Sequence, residues 1–261
     1  MKPVAVLLAA AALTGQPAAV EVRRLPAPEA HQGVAADARS VYAIANSTVA
    51  RYDKASGRRV AVWNGDPARF KHLNSCIVRA AQLVCAASNY PDVPMASTVL
   101  WFDAATLRLQ RVRPLAPGHG SLTWLDWHDG GWWAGFAHYD GKGGEPGRDH
   151  RHTAVVRYTP DFAERRAYRF PAHVLDRFAP RSTSGGAWGA DGLLYVTGHD
   201  RPELYAMRVP RNGNVLELVA TVATPTGGQA IGWDGAERRL LWSIERKTSE
   251  LVASRVPPVR R

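Results

Sequence analysis

Several common enzyme signatures are missing from this sequence. It has only two cysteines in 261 residues, too few for cysteine-ligated metal ribbons or a dense disulfide scaffold. Ser184-Gly185-Gly186 lacks the Gly-x-Ser-x-Gly context of a nucleophile elbow, and Gly141-Lys142-Gly143-Gly144 does not follow a strand-to-helix turn. A serine triad and a phosphate loop are therefore disfavoured, and there is no dinucleotide fingerprint. Negative charge is in short supply: 23 acidic residues face 33 basic ones, a formal net charge of +10. Such a surplus attracts polyanions at long range. The excess is mostly arginine scattered singly, however, and its one local cluster is the tail from Arg255 to Arg261. Without an RNA-binding aromatic motif or a helix-turn-helix pattern, nucleic acid is not expected as a partner. A cationic surface can still touch anionic cell-envelope polymers.

Long apolar runs are absent beyond the first residues. Lys2 precedes an apolar run from Val4 to Leu13, too short to span a bilayer, and Gly15-Gln16-Pro17 follows it. That pattern reads as a secretory signal peptide over residues 1–19, cleaved near Ala18 or Ala19, and no later segment could cross a membrane as a helix. The expected location is secreted or periplasmic. In an oxidising compartment Cys76 and Cys85 could form a disulfide across one hairpin, turning near Arg79 to Gln82; otherwise they are two small buried residues. Neither thiol has a base beside it in the sequence, so thiol catalysis is not expected.

What the chain has in abundance is repetition. Five times an apolar stretch, a tight turn and a second apolar stretch ending on polar residues lead to a corner. The corners are Tyr52-Asp53, Phe102-Asp103, Tyr158-Thr159, Val209-Pro210 and Val256-Pro257. A period of about 50 residues marks stacked or radially arranged sheets. Asp129-Gly130, Asp191-Gly192 and Asp234-Gly235 between apolar runs predict hairpins, because glycine allows positive φ without steric cost. The dense aromatics, without clean alternation, predict strands covered on both faces, with most tryptophans packing between blades. We therefore expect an all-β, five-bladed β-propeller forming one domain over residues 20–261. The fifth repeat lacks an outer strand, and Val20 to Ala27 resembles the outer strand Arg166 to Ala172 of the third. The N-terminal strand should complete the last blade and hide two sheet edges.

By analogy with other propellers, loops entering first strands and leaving second strands share one rim of the central channel. Here they carry His31-Gln32, His72 to Ser75, His119, Ser182 to Ser184 and Gly228-Gln229. The leaving loops add Asn46, Ser88-Asn89-Tyr90, His138-Tyr139-Asp140, His199-Asp200 and Glu245-Arg246. Polar convergence of this kind predicts a ligand site, with His72, Asn74, Ser88, Asn89, Tyr139, Gln229, Glu245 and Arg246 as binding residues. His138 and His199, with Asp200 or Glu245 orienting an imidazole, are the catalytic candidates. His72, His138 and His199 together could hold a divalent metal ion, or they could merely close loops by hydrogen bonding. The glycine-rich, charged stretch Tyr139 to His152 reads as a mobile loop able to cover the channel or, as such loops more often are, a tolerated elongation; its acidic positions do not fit a calcium loop. Val174, Leu175 and Phe178 fall at helical spacing and predict a short lid-like helix over Ala172 to Phe178.

The stretches His72 to Ser75, Ser88 to Pro91, Ser121 to Trp124 and Thr197 to Asp200 resemble those of the YVTN and quinoprotein-like propeller superfamily, and of exported bacterial five-bladed propellers in particular. That resemblance implies a fold and no established activity. Gly228 to Gly235 is also similar, distantly, to the Gln-Gly-Leu and Asp-Gly repeat of secreted five-bladed glutaminyl cyclotransferases, which would imply a cyclotransferase. Two functions follow as expectations. One is a monomeric exported protein binding a small polar molecule or envelope component at the channel mouth. The other is a propeller enzyme of cyclotransferase, lyase or hydrolase type using histidine acid/base chemistry, with or without a divalent metal.

Overall fold

The computed structural model of the chain describes residues 16–259. The expected signal segment lies, for residues 1–15, outside the described residues.

After β1 (Val20–Pro26), four strands form each blade in chain order. Blade one holds β2 (Gly33–Ala36), β3 (Ser40–Ile44), β4 (Thr48–Asp53) and β5 (Arg59–Asn64). Blade two holds β6 (His72–Arg79), β7 (Gln82–Ser88), β8 (Ser97–Asp103) and β9 (Leu109–Pro114). Blade three holds β10 (Ser121–His128), β11 (Gly131–Ala137), β12 (Ala154–Tyr158) and β13 (Glu164–Arg169). Blade four holds β14 (Gly185–Trp188), β15 (Leu194–Thr197), β16 (Glu203–Arg208) and β17 (Glu217–Ala223). Blade five consists of β18 (Gly232–Trp233), β19 (Leu240–Glu245) and β20 (Glu250–Arg255), with β1 as its outer strand. The first strands β2, β6, β10, β14 and β18 neighbour one another in turn around the axis, so the ring closes.

Closure by β1 runs as the sequence predicts. It pairs antiparallel with β20 from Val20 opposite Arg255 to Pro26 opposite Glu250, with a bulge between Glu21 and Arg23. Leu25 and Ala27 are buried against Trp242, Ile244 and Leu251, and Arg24 donates to Glu250 at 2.8 Å. Pairing removes the open edges that two unfinished sheets would expose. Just upstream, Ala19 N–H donates to the Ala223 carbonyl at 2.8 Å, and Ala223 N–H donates to the Pro17 carbonyl at 2.8 Å. The chain thus touches blade four before joining blade five.

The core lies between blades rather than within them. Five buried clusters occupy the five gaps; that between blades two and three, for example, holds Val84, Trp101, Leu122, Trp132 and Phe136. The inner strands are covered on both faces, which explains their dense apolar sequence without alternation. Cys76 and Cys85 sit opposite each other in the β6–β7 ladder and form the expected disulfide, with Cα atoms 4.0 Å apart. Among the described residues no helix is long and apolar enough to cross a membrane.

The three Asp-Gly pairs do not make one kind of turn. Only Asp129-Gly130 forms a two-residue hairpin with positive φ at both positions, 48° and 71°. The same geometry joins β6 to β7 through two alanines, Ala80 and Ala81, at φ 49° and 61°. Asp191 and Asp234 instead lie in longer loops in which the carboxylate holds an aromatic side chain of the next strand. Asp191 accepts from the Tyr195 hydroxyl at 2.7 Å and Asp234 from the Trp242 indole at 2.8 Å. Asp37 does the same for Tyr42 in blade one, at 2.7 Å. Gly235 answers to crowding: a Cβ there would lie 2.7 Å from the Asp37 backbone of the adjoining blade.

The helix α1 (Ala172–Phe178) forms as predicted and buries Val174, Leu175 and Phe178. Phe178 meets Phe170 and Tyr205 edge-on, anchoring the helix between blades three and four. The 139–152 stretch, read from sequence as a covering loop or a tolerated elongation, is tied into the fold. Asp140 accepts from His150 N–H at 2.9 Å, Glu145 accepts from Met95 N–H at 2.8 Å, and Arg148 donates to the Gly118 carbonyl at 2.7 Å.

Candidate functional site

All five blades contribute to a cavity of about 200 Å³ at the mouth where the polar loops meet. The loops or strands nearest the axis supply Gln32, His72, Asn74, Thr123, Ser184 and Gln229, while the loops leaving second strands supply Tyr90, Tyr139, His199 and Arg246. Arg181 enters from the segment after α1. Gathering residues so far apart in sequence needs only that each first strand start at the same height around one axis.

The charges are one-sided. Arg181 and Arg246 line the cavity and no carboxylate does. Burial, the Arg246 guanidinium and the neighbouring His199 push the His72 imidazole down to about 4, against a weaker opposing hydrogen bond with Asn74. His199 is also lowered, chiefly by burial, with Arg181 and Arg246 adding to the effect and Asp200 opposing it. Both rings are therefore predominantly neutral at neutral pH. His199 Nδ1 lies 2.6 Å from Asp200 Oδ1 and its Nε2 lies 3.2 Å from Arg246 Nη1. The hydrogen-bond network assigns the proton to Nδ1, since Arg246 can only donate to Nε2. Burial raises the Tyr139 phenol above its ordinary value, so its hydroxyl stays protonated. Tyr90 meets Tyr139 edge-on at 5.1 Å and lies 5.0 Å from the His72 ring, forming one wall.

Of the residues expected from sequence, His72, Asn74, Tyr139, His199, Gln229 and Arg246 meet in this cavity. Asp200 stays outside as the exposed partner of His199. His138 does not reach it. Its ring is buried behind the rim, where a Cβ on Gly120 would come within 2.8 Å of its Nε2. Gly120, at φ 104°, is thus required both by backbone conformation and by this close approach. Ser88 and Asn89 line a separate depression beside Lys71 and Asp92. Asn89 is used by its own loop, accepting from Ala96 N–H at 2.8 Å and donating to the Pro94 carbonyl at 3.0 Å. Glu245 accepts from Lys247 N–H at 3.1 Å and helps form the β19–β20 turn.

Three imidazoles therefore do not converge. His72 and His199 share the cavity with two guanidiniums, whose field repels a divalent cation, and both His199 nitrogens already have partners. Among the described residues, the one set of three His, Cys, Asp or Glu ligand atoms mutually within 4.8 Å is Asp140, Asp149 and His150, outside the cavity. Asp140 there also accepts from the backbone and ring of its neighbour His150. Arg181 and Thr123 line the cavity but lie outside the residues the sequence singles out. The signal for Arg181 is its place one residue before the Ser182 loop.

No protein-family model matches this chain, and no curated protein does. Solved structures do match in shape. The PQQ-bound aldose sugar dehydrogenase of Streptomyces coelicolor aligns with a TM-score of 0.56 at 13% identity, covering 92% of this chain and 99% of that one. A luciferin-regenerating enzyme aligns at 0.54 and 11% identity, covering 93% and 95%. The hydrazine synthase of Kuenenia stuttgartiensis gives 0.51 at 12%, covering 87% of this chain and 72% of that one. At such identities the likeness is one of fold alone, and the chain is a five-bladed β-propeller.

Proposed function

We propose that this protein is an exported propeller that binds a small organic acid at the mouth lined by Arg181 and Arg246. The observation carrying this reading is the pair of guanidiniums in a concave, largely hydrogen-bonding cavity without a lining carboxylate. Arginine forks suit carboxylate and phosphate oxygens geometrically and need no deprotonation. Gln32, Asn74, Thr123, Ser184 and Gln229 supply the neutral donors and acceptors that a hydroxy or keto acid would use. The disulfide fits an oxidising compartment and so supports export. Thermal unfolding with gluconate, galacturonate, citrate and phosphate, against glucose as a neutral control, tests the proposal. The acids should raise the melting temperature with concentration, and Arg181→Ala and Arg246→Ala should abolish the rise. Equal stabilisation by glucose would count against it.

A second reading is favoured by the His199–Asp200 pair. An imidazole oriented at Nδ1 by a carboxylate can take a proton at Nε2 once Arg246 turns toward a bound acid. The enzyme would then be a lyase, hydrolase or cyclotransferase acting on an anionic substrate. For the last of these, the glutamate-bearing Leu-Tyr-Glu-Ser-Thr-Gly segment that follows Asp-Gly in those enzymes is replaced here by Ala236-Glu237-Arg238-Arg239. Turnover of lactones or pyroglutamyl precursors that vanishes in His199→Ala, with acid binding retained, would select the enzyme.

A further inference from the structure

The other end of the same channel is chemically different. There the last residues of the first strands surround a cavity of about 500 Å³ whose walls include Trp127, Trp188 and Trp233. Three of its four acidic side chains are already matched: Asp191 with Arg239, Asp234 with Lys54 and Glu237 with Arg255. The fourth, Asp126 of β10, is not. Its carboxylate accepts from Trp127 N–H at 2.8 Å and from Trp188 N–H at 2.6 Å, but among the described residues it has no cationic partner. It is half-buried and faces the cavity. An indole here already holds a positive group, since the Arg79 guanidinium lies 3.8 Å from the centre of the Trp127 ring.

We propose that this mouth binds an organic ammonium ion, caged by the Trp127, Trp188 and Trp233 indoles and neutralised by the Asp126 carboxylate. Aromatic faces attract a poorly hydrated cation through the ring quadrupole, and more strongly when water is displaced. A half-buried carboxylate without a countercharge is costly, and a bound cation supplies the missing charge. The hydrogen-bonding backbone groups keep the carboxylate aimed while leaving further lone pairs free. This proposal does not depend on the organic-acid reading of the other mouth, because no side chain is shared between the two cavities.

Burial holds the Asp126 carboxyl up to about 6, partly offset by the two backbone N–H groups. Because only the ionised carboxylate attracts a cation, affinity should fall as the solution is acidified through that value. The other groups facing the cavity are His128, stacked on Trp188 at 3.8 Å, the exposed Arg238, and the matched pairs above. His128 is lowered mainly by burial, and it too would repel a cation once protonated.

The test is a titration of the full chain with choline and tetramethylammonium chlorides at fixed ionic strength, followed by tryptophan fluorescence and calorimetry. The neutral isostere 3,3-dimethylbutan-1-ol serves as control. Saturable binding of both cations, at least tenfold tighter than the alcohol, is expected. Asp126→Asn should weaken it about tenfold or more and Trp233→Leu severalfold, whereas Arg181→Ala should leave it unchanged. Should Asp126→Asn fail to fold, choline affinity is read from pH 7.5 to 5 in His128→Gln, which removes the imidazole from the cavity wall. A clear loss of affinity toward pH 5 supports the site. Equal binding of the alcohol, no saturable signal, unchanged affinity in Asp126→Asn, or a flat pH profile would each overturn it.

Discussion

The two mouths of one channel are built from opposite ends of the same five strands, yet they present opposite chemistry. Where the first strands begin, Arg181 and Arg246 stand among amides and hydroxyls without a carboxylate. Where they end, Asp126 stands among indoles with no cationic partner among the described residues. The packing between blades is shared, so the scaffold does not dictate this difference. It comes from loop residues at the first mouth and from the last residues of β10, β14 and β18 at the second. A propeller can thus assign separate tasks to its two faces while one set of inter-blade clusters holds both in place.

Four perturbations would break or sharpen that contrast, and opening the ring should have the largest effect. Deleting residues 16–27 removes the β1–β20 ladder and the burial of Leu25 and Ala27. Summing the ladder bonds and one buried leucine suggests a loss of about 5 kcal/mol, or roughly 10–20 °C in melting temperature. Calorimetry should show it, and the proposed binding of gluconate and of choline should be lost together. A truncated chain melting with the full one would show that closure is dispensable.

Removing the disulfide should act unequally. Cys76 lines the tryptophan mouth, and the loop it closes spans a sequence separation of 9. Loop-closure entropy predicts a loss of about 2–3 kcal/mol for Cys76→Ser with Cys85→Ser. Choline binding should weaken more than gluconate binding. Equal weakening at both mouths would mean that the hairpin does not shape the cavity it borders.

The arginine mouth can be probed by its imidazoles. With a folded value of about 4 for His72, below that of the unfolded chain, the unfolded state binds more protons between about pH 6.5 and 4. This group therefore makes stability fall as pH drops through that window, the loss being complete below it. Arg246→Ala removes a positive neighbour from both histidines, so NMR titration should find His72 and His199 moved upward. Unmoved resonances would place Arg246 outside the field assumed here.

The smallest expected effect is at the β6–β7 turn. Ala80 and Ala81 both occupy the left-handed region at φ 49° and 61°, which costs an alanine about 1–2 kcal/mol per residue. Replacing them by Asn-Gly should stabilise the chain by about 1 kcal/mol after glycine's extra chain entropy is counted. Neither cavity should respond. Denaturant unfolding measures the gain, and a loss would contradict the turn geometry.

The blades were legible because turn chemistry and period are local signals. The closing strand was legible because one repeat visibly lacked a piece, and α1 because its three apolar residues fit a single helical face. Side-chain direction was not legible. His138 ends a second strand as His199 nearly does, yet packing against Gly120 turns it inward. Asn89 is polar and on a rim loop but is used by that loop. Arginines that look scattered in sequence meet when the ring closes, which is why neither the overall charge nor its position in the chain by itself singles out Arg181. The sequence pattern assigns most tryptophans to packing between blades. That holds for buried Trp124 and Trp242, but strand-end position separates Trp127, Trp188 and Trp233 from them.

Diffraction from crystals soaked in selenate offers the most direct test of the arginine mouth, because selenium scatters anomalously and the ion resembles the oxygens of an acid. A peak within hydrogen-bonding reach of both Arg181 and Arg246, lost in the Arg181→Ala, Arg246→Ala double variant, is the predicted result. Selenate found only on outer blade surfaces, with none between those two guanidiniums, would contradict it.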